Sequence, residues 1–246
     1  MTDKSRLIGS IVGLGLTAAI LISATAFGYR MRPKDNACEA LDYTIVDSDK
    51  RRYVTEAELD AMLKNAGLYP VGYHINRLSL HRIEQTIIHH PMVRTAECFI
   101  TPRNEMRIYL SQRVPLLRVQ TASDVYFIDT DRRVMEARET VKDSVLVAKG
   151  AIGVQMATTQ LTDFAIWLQR HEYWRKKVDY IRVQTPQMVT LCLKGEQPRV
   201  VLGSLSNYEQ KLAKLRTFLD NRDEQIQAIP YKELDVRFKG QVIGRK

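Results

Sequence analysis

The sequence predicts an α+β chain with a single N-terminal transmembrane helix, a small domain of three strands and two helices, and a larger mixed α/β domain. Three observations predict it. Leu7 to Phe27 is a run of 21 residues without a charge. Residues 41–115 change period in the order strand, helix, helix, strand, strand. Beyond them, short apolar alternations continue to the C-terminus, interrupted by two further helical patterns.

The uncharged run comes first. At ~1.5 Å rise per residue a helix over it is about 31 Å long, the thickness of a bilayer's hydrocarbon core. Lys4 and Arg6 precede it, and Tyr29, Arg30, Arg32 and Lys34 follow, side chains that suit the headgroup region. Ala24-Thr25-Ala26 has the form of a signal-peptidase site, but signal-peptide apolar cores run only ~7–15 residues. An uncleaved anchor is therefore expected, with residues 1–6 as a cytoplasmic tail, 7–27 as the helix and 28–40 as a linker. Basic residues flank both ends, so charge alone does not orient the helix. Long polar segments are translocated largely regardless of charge, which puts the C-terminal portion outside the cytoplasm.

Composition narrows the rest. The chain is 45% hydrophobic and 26% charged, enough apolar residues for folded cores. Its net charge is +9, and the part beyond the anchor carries +8, which favours anionic surfaces or acidic partner proteins. Cys38, Cys98 and Cys192 are too few and too scattered for a disulfide framework. Cys98 and Cys192 lie in apolar strand patterns and are expected in cores; Cys38, next to the linker, is expected to be exposed.

In the first domain, spanning 41–115, Leu41, Tyr43 and Ile45 mark a strand. Thr55 with Glu58 forms a capping box, and Leu59, Met62, Leu63 and Ala66 make one apolar helix face that Gly67 stops. A second helix begins at Ser79, buries Leu80, Ile83 and Ile87, and ends before Pro91. Ala96, Cys98 and Ile100, then Met106, Ile108 and Leu110, alternate on either side of Thr101-Pro102-Arg103-Asn104, as a hairpin does.

In the second domain, 116–246, Val125–Ile128 and Val134-Met135 flank the turn Asp129–Arg132. Val145–Ala148 is a strand closed by Gly150 and Gly153, and a helix near Thr159–Glu172 buries Leu161, Phe164, Ala165 and Leu168. Strands are expected at Val178–Val183, Met188–Leu193 and Arg199–Leu202. Ser206 and Glu209 suggest a second capping box, before a helix burying Tyr208, Leu212, Leu215 and Leu219. Leu234–Phe238 reads as the closing strand, extending to Val242-Ile243.

This organisation resembles the FtsQ/DivIB family of bacterial cell-division proteins along nearly the whole chain. The first domain is similar to the family's POTRA domain through its element order, His90-Pro91-Met92-Val93 before the hairpin, and Gln112-Arg113-Val114-Pro115 after it. Gln112 stands where relatives commonly carry an acid. In the β domain, Tyr126-Phe127-Ile128-Asp129 resembles the first hairpin, with Arg132 in place of the usual turn glycine, and Leu234-Asp235-Val236-Arg237-Phe238 resembles the closing strand. The resemblance implies a septal inner-membrane scaffold without catalytic activity or cofactor. It would recruit FtsB and FtsL-type bitopic proteins and other divisome components. It further implies that FtsB adds a strand at the final edge, where Arg237, Phe238, Lys239, Gly240, Gln241 and Val242 would bind it. A terminal strand with unpaired backbone groups suits that role.

Other chemistries find little support. Adjacent His89 and His90 diverge by ~100° on a helix and cannot share a metal, and His74 and His81 have no carboxylate at ligand spacing. Gly203-Ser204-Leu205 lacks the second glycine of a nucleophile elbow. Gly9 and Gly13 fall in the membrane run at a helix-packing spacing. No aromatic or basic motif points to nucleic acid, and none to a small-molecule substrate. The alternatives are a membrane-anchored cell-wall enzyme, which needs convergent acid, base and nucleophile groups, and a POTRA-type export adaptor, whose usual barrel has no room here.

Overall fold

The computed structural model describes residues 36–49, 51–138, 141, 145–195, 198–220 and 231–246. The anchor expected at 7–27 lies outside the described residues. Among the described residues no helix is long and apolar enough to cross a membrane.

Two compact units divide the described chain. The first joins residues 36–42, 70–79 and 99–107. Its segments are stitched by backbone bonds: Cys38 N–H donates to the Tyr73 carbonyl at 2.9 Å, Gly72 N–H to Cys38 at 2.9 Å, Ile75 N–H to Asn36 at 2.7 Å and Glu39 N–H to Asn104 at 2.9 Å. Residues 36–40, the described part of the expected linker, are thus part of the fold. Cys38, expected to be exposed, is buried, with its thiol donating to the Ala40 carbonyl at 3.3 Å. Burial pushes its pKa above the usual thiol value.

The POTRA-like region contains β1 (Ala40–Ile45), α1 (Glu56–Asn65), a short 3-10 turn at Ile75–Arg77, α2 (Leu80–Ile88), β2 (Val93–Ile100) and β3 (Glu105–Gln112), with sheet order β1-β3-β2. The expected capping box forms: Glu58 N–H donates to Thr55 Oγ1 at 3.3 Å, and Thr55 N–H to Glu58 Oε2 at 2.9 Å. Leu59 and Leu63 of α1, and Ile83 and Ile87 of α2, are buried.

The remaining elements are β4 (Pro115–Gln120), β5 (Val125–Asp129), β6 (Val134–Glu136), β7 (Leu146–Gly150), α3 (Thr162–Arg170), α4 (Glu172–Lys177), β8 (Val178–Thr185), β9 (Met188–Leu193), β10 (Arg199–Gly203), α5 (Tyr208–Asp220), β11 (Glu233–Asp235) and β12 (Ile243–Arg245). They form one nine-stranded sheet, ordered β12-β11-β10-β9-β8-β7-β4-β5-β6. Helices separate β7 from β8 and β10 from β11, and both pairs are parallel, an arrangement that requires a crossover connection of this kind. One face packs Leu117, Val119, Ala148, Ile181, Leu191, Val200 and Leu234 against Leu161, Phe164 and Leu168 before and in α3 and Leu212 and Leu215 of α5.

Three differences from the sequence reading have local causes. β4 was not expected, because Pro115 reads as a boundary; yet Pro115 opens the strand, and β4 pairs with both β5 and β7. A helical turn at Val154–Met156 runs through a π-helical turn, Ala157–Leu161, into α3, so this helix begins earlier than Thr159. Ser206 does not cap α5: its hydroxyl bonds Ser204 at 2.7 Å, and Asn207 at φ +52 separates it from Tyr208.

Within the second unit, the segments that carried the family likeness meet. The Arg113 guanidinium donates to Asp129 Oδ2 at 2.7 Å. The other Asp129 oxygen accepts Asp131 N–H at 2.9 Å and Arg133 N–H at 2.7 Å, holding the β5–β6 turn. Arg94 clamps Asp131 with bonds of 2.7 and 3.0 Å. Arg132 takes φ +64, a left-handed conformation that costs a side chain about 1 kcal/mol, and its guanidinium reaches Asp163 of α3 at 2.6 Å.

Gln112 is 2% exposed and fully engaged. Its amide oxygen accepts Tyr53 N–H at 2.7 Å and Val54 N–H at 3.2 Å; its nitrogen donates to Asp47 Oδ1 at 3.2 Å and the Arg51 carbonyl at 2.8 Å. A carboxylate offers no donor and would face Asp47. Gln112→Glu is therefore expected to destabilise by about 2–3 kcal/mol at neutral pH. The new acid's folded pKa is raised above its unfolded value near 4.3, so the deficit shrinks as pH falls toward about 4. Thermal melts of both proteins across that range check it.

Candidate partner-binding edge

The C-terminal segment is built around one buried carboxylate. Leu234 and Val236 point into the core, so the intervening Asp235 faces the other side, yet it is 0% exposed. Arg237 satisfies it with Nε at 2.9 Å, Nη2 at 2.6 Å and its backbone N–H at 3.1 Å. Arg245 adds a longer contact at 3.9 Å. The hydrogen bonds from Arg237, outweighing burial, hold the Asp235 pKa below 3.8.

That pairing ends the strand. β11 stops at Asp235, and the chain turns back through Phe238–Lys239–Gly240, with Gly240 at φ +73. The next carbonyls go to a lysine instead of a neighbouring strand: Lys214 Nζ of α5 donates to Val236 O at 3.1 Å and to Phe238 O. Lys211 does the same for Leu202 at 3.0 Å and Ser204 at 2.9 Å, at the end of β10. Burial lowers the pKa of both lysines. Gly203, at φ +71, makes room for Arg237, since a Cβ there would lie 2.9 Å from Arg237 Cδ.

The expected closing strand, Leu234–Phe238 running on to Val242-Ile243, is thus corrected to two short antiparallel strands. β12 pairs Ile243 with Asp235, Gly244 with Leu234 and Arg245 with Glu233, and it forms the edge of the sheet. Arg237, Phe238, Lys239, Gly240, Gln241 and Val242 all lie in the connection between β11 and β12. Val242 packs toward the core, whereas Phe238 is 48% exposed beside the Arg237 guanidinium. Ile243, on β12, is 38% exposed. Sequence reasoning missed Lys211 and Lys214. Their signal was available, as two lysines three apart flanking the apolar Leu212 and Leu215.

Gly244 has a specific role. A Cβ on it would fall 2.4 Å from the Tyr231 ring, so glycine lets β12 lie against that aromatic. An ion pair at 2.9 Å between Arg245 and Glu233 closes the outer corner. Among the described residues no three His, Cys, Asp or Glu side chains gather as a metal site requires. The arrangement offers an edge backbone, two exposed apolar side chains and a surplus of basic groups, which suits docking of a polypeptide.

Residues 114–245 match the family model described as FtsQ/DivIB, C-terminal related. Residues 36–111 match the model of a POTRA-like domain. No curated protein matches the chain. Both matched families are in general non-enzymatic, and the FtsQ/DivIB domain points to a cell-division scaffold role.

Proposed function

Because the chain belongs to the FtsQ/DivIB C-terminal-related family, we propose that it is a non-catalytic divisome scaffold that captures FtsB/FtsL-type partners by strand addition at β12. In this reading Leu7–Phe27 anchors the protein in the inner membrane at the septum, with the rest displayed outside the cytoplasm. The observation that carries the proposal is the position of β12 at the end of a nine-stranded sheet, with Ile243 and Phe238 exposed beside it. An edge backbone supplies sequence-independent hydrogen bonds, and the exposed side chains supply choice of partner. The six residues expected to bind directly, Arg237 to Val242, take a supporting part: Phe238 contributes contact and the others fix the turn.

The test measures binding of the full chain, in neutral detergent, to the extracytoplasmic segment of an FtsB-type protein. Truncation after Val242, which removes β12, and Ile243→Asp are each expected to weaken binding at least ~10-fold, about 1.4 kcal/mol. Core packing should survive, because Ile243, Gly244 and Arg245 are all exposed. Undiminished binding by the truncated chain would sink the edge-strand proposal.

A further inference from the structure

The face of the sheet opposite the helices carries a cluster of cations for which the scaffold reading has no use. Strand alternation points Leu117, Val119, Ala148, Ile181 and Val183 into the core, and so points Arg118, Lys149, Tyr180 and Arg182 the other way. The register brings them together: Lys149 is paired with Arg182, Val147 with both Arg118 and Tyr180. Paired strands lie about 4.8 Å apart, so Lys149 and Arg182 are like charges set side by side, an arrangement that costs stability. Arg118, Lys149 and Arg182 are exposed, and among the described residues none has an acidic partner. Two are held over rings on the same face, the Lys149 ammonium 4.8 Å from Tyr180 and the Arg118 guanidinium 6.0 Å from Phe127.

We propose that the Arg118–Lys149–Arg182 cluster on β4, β7 and β8 is a second docking surface, which binds an acidic segment of a partner protein. β8 is four places from β12 in the sheet order, so this surface is separate from the C-terminal edge. Charge complementarity selects the occupant: an incoming carboxylate relieves the Lys149–Arg182 repulsion and is met by cations already positioned. A lipid surface fits less well, because none of the large exposed hydrophobic residues lies on β4, β7 or β8 to enter a bilayer.

The test uses the full chain in neutral detergent and two probes, a fluorescent oligoglutamate and a soluble short-chain phosphatidylglycerol. Lys149→Gln with Arg182→Gln is compared with Arg175→Gln with Lys176→Gln, which removes the same charge from α4. Each cation of the cluster is expected to contribute about 2–3-fold to oligoglutamate affinity, so the first double variant loses roughly 4–9-fold. The α4 variant should bind the peptide like the parent, and both should bind the lipid like the parent. Equal peptide affinity in the two variants, or loss of lipid binding in the first, would overturn the proposal. Melting curves for both variants separate loss of the surface from loss of the fold.

Discussion

Gly150→Ala is expected to lower the melting temperature by about 10 °C. Gly150 ends β7 at φ +121, a conformation side chains rarely adopt, and a Cβ there would lie 2.0 Å from the Val183 carbonyl oxygen. That oxygen is itself fixed, accepting Ala151 N–H at 2.9 Å. Neither atom can give way without parting β7 from β8 or displacing the turn into Val154–Met156. Backbone strain and overlap together cost about 4 kcal/mol. Gly153→Ala is the internal control, since nothing lies within 4 Å of its added carbon. Comparable melting temperatures for the two variants would show that the close approach is not what constrains this turn.

Asp235→Asn carries the second large effect, and its pH dependence identifies the cause. Removing one partner of a buried pair costs ~3–5 kcal/mol, and because the Arg237 side chain is 36% exposed about 2 kcal/mol is expected here. The folded pKa of Asp235 is depressed by Arg237. Its contribution is therefore present above the unfolded value near 3.8, and it is lost as pH falls through the folded pKa. The parent and the variant should differ in unfolding free energy at neutral pH and converge as pH falls below the depressed folded pKa of Asp235. Under the proposed docking at β12, the variant should also bind an FtsB-type segment more weakly, since the turn leading to β12 is tied to this carboxylate. A stability difference that persisted in acid would assign the effect to packing instead of charge.

Much of the fold was readable because its signals are local. The Thr55–Glu58 capping box, the period of Leu59 and Leu63, and the hairpin alternation of Ala96, Cys98, Met106, Ile108 and Leu110 each depend on residues within a few positions. The errors came where a distant partner decides the outcome. Arg237 extends an alternating pattern, yet its guanidinium turns back on Asp235, and Lys214 from another element takes the carbonyls a strand would have used. Cys38 follows a polar stretch, but its burial depends on backbone bonds to Tyr73 and Gly72. Gln112 and Arg132, which depart from the family pattern, could be noticed in the sequence. Only the structure supplies their reasons, the Asp47–Val54 loop and Asp163.

β12 is only three residues long, and those residues differ in what ties them to the fold. Ile243 is exposed, whereas Arg245 reaches the buried Asp235 at 3.9 Å and pairs with Glu233 at 2.9 Å, and Gly244 is held by the Tyr231 ring. Asp235, Val236 and Arg237 hold the end of the sheet, and Phe238 and Ile243 are the exposed apolar side chains left beside it. Under the proposed docking, recognition can be retuned through Phe238 and Ile243 while the buried contacts of the sheet end stay in place.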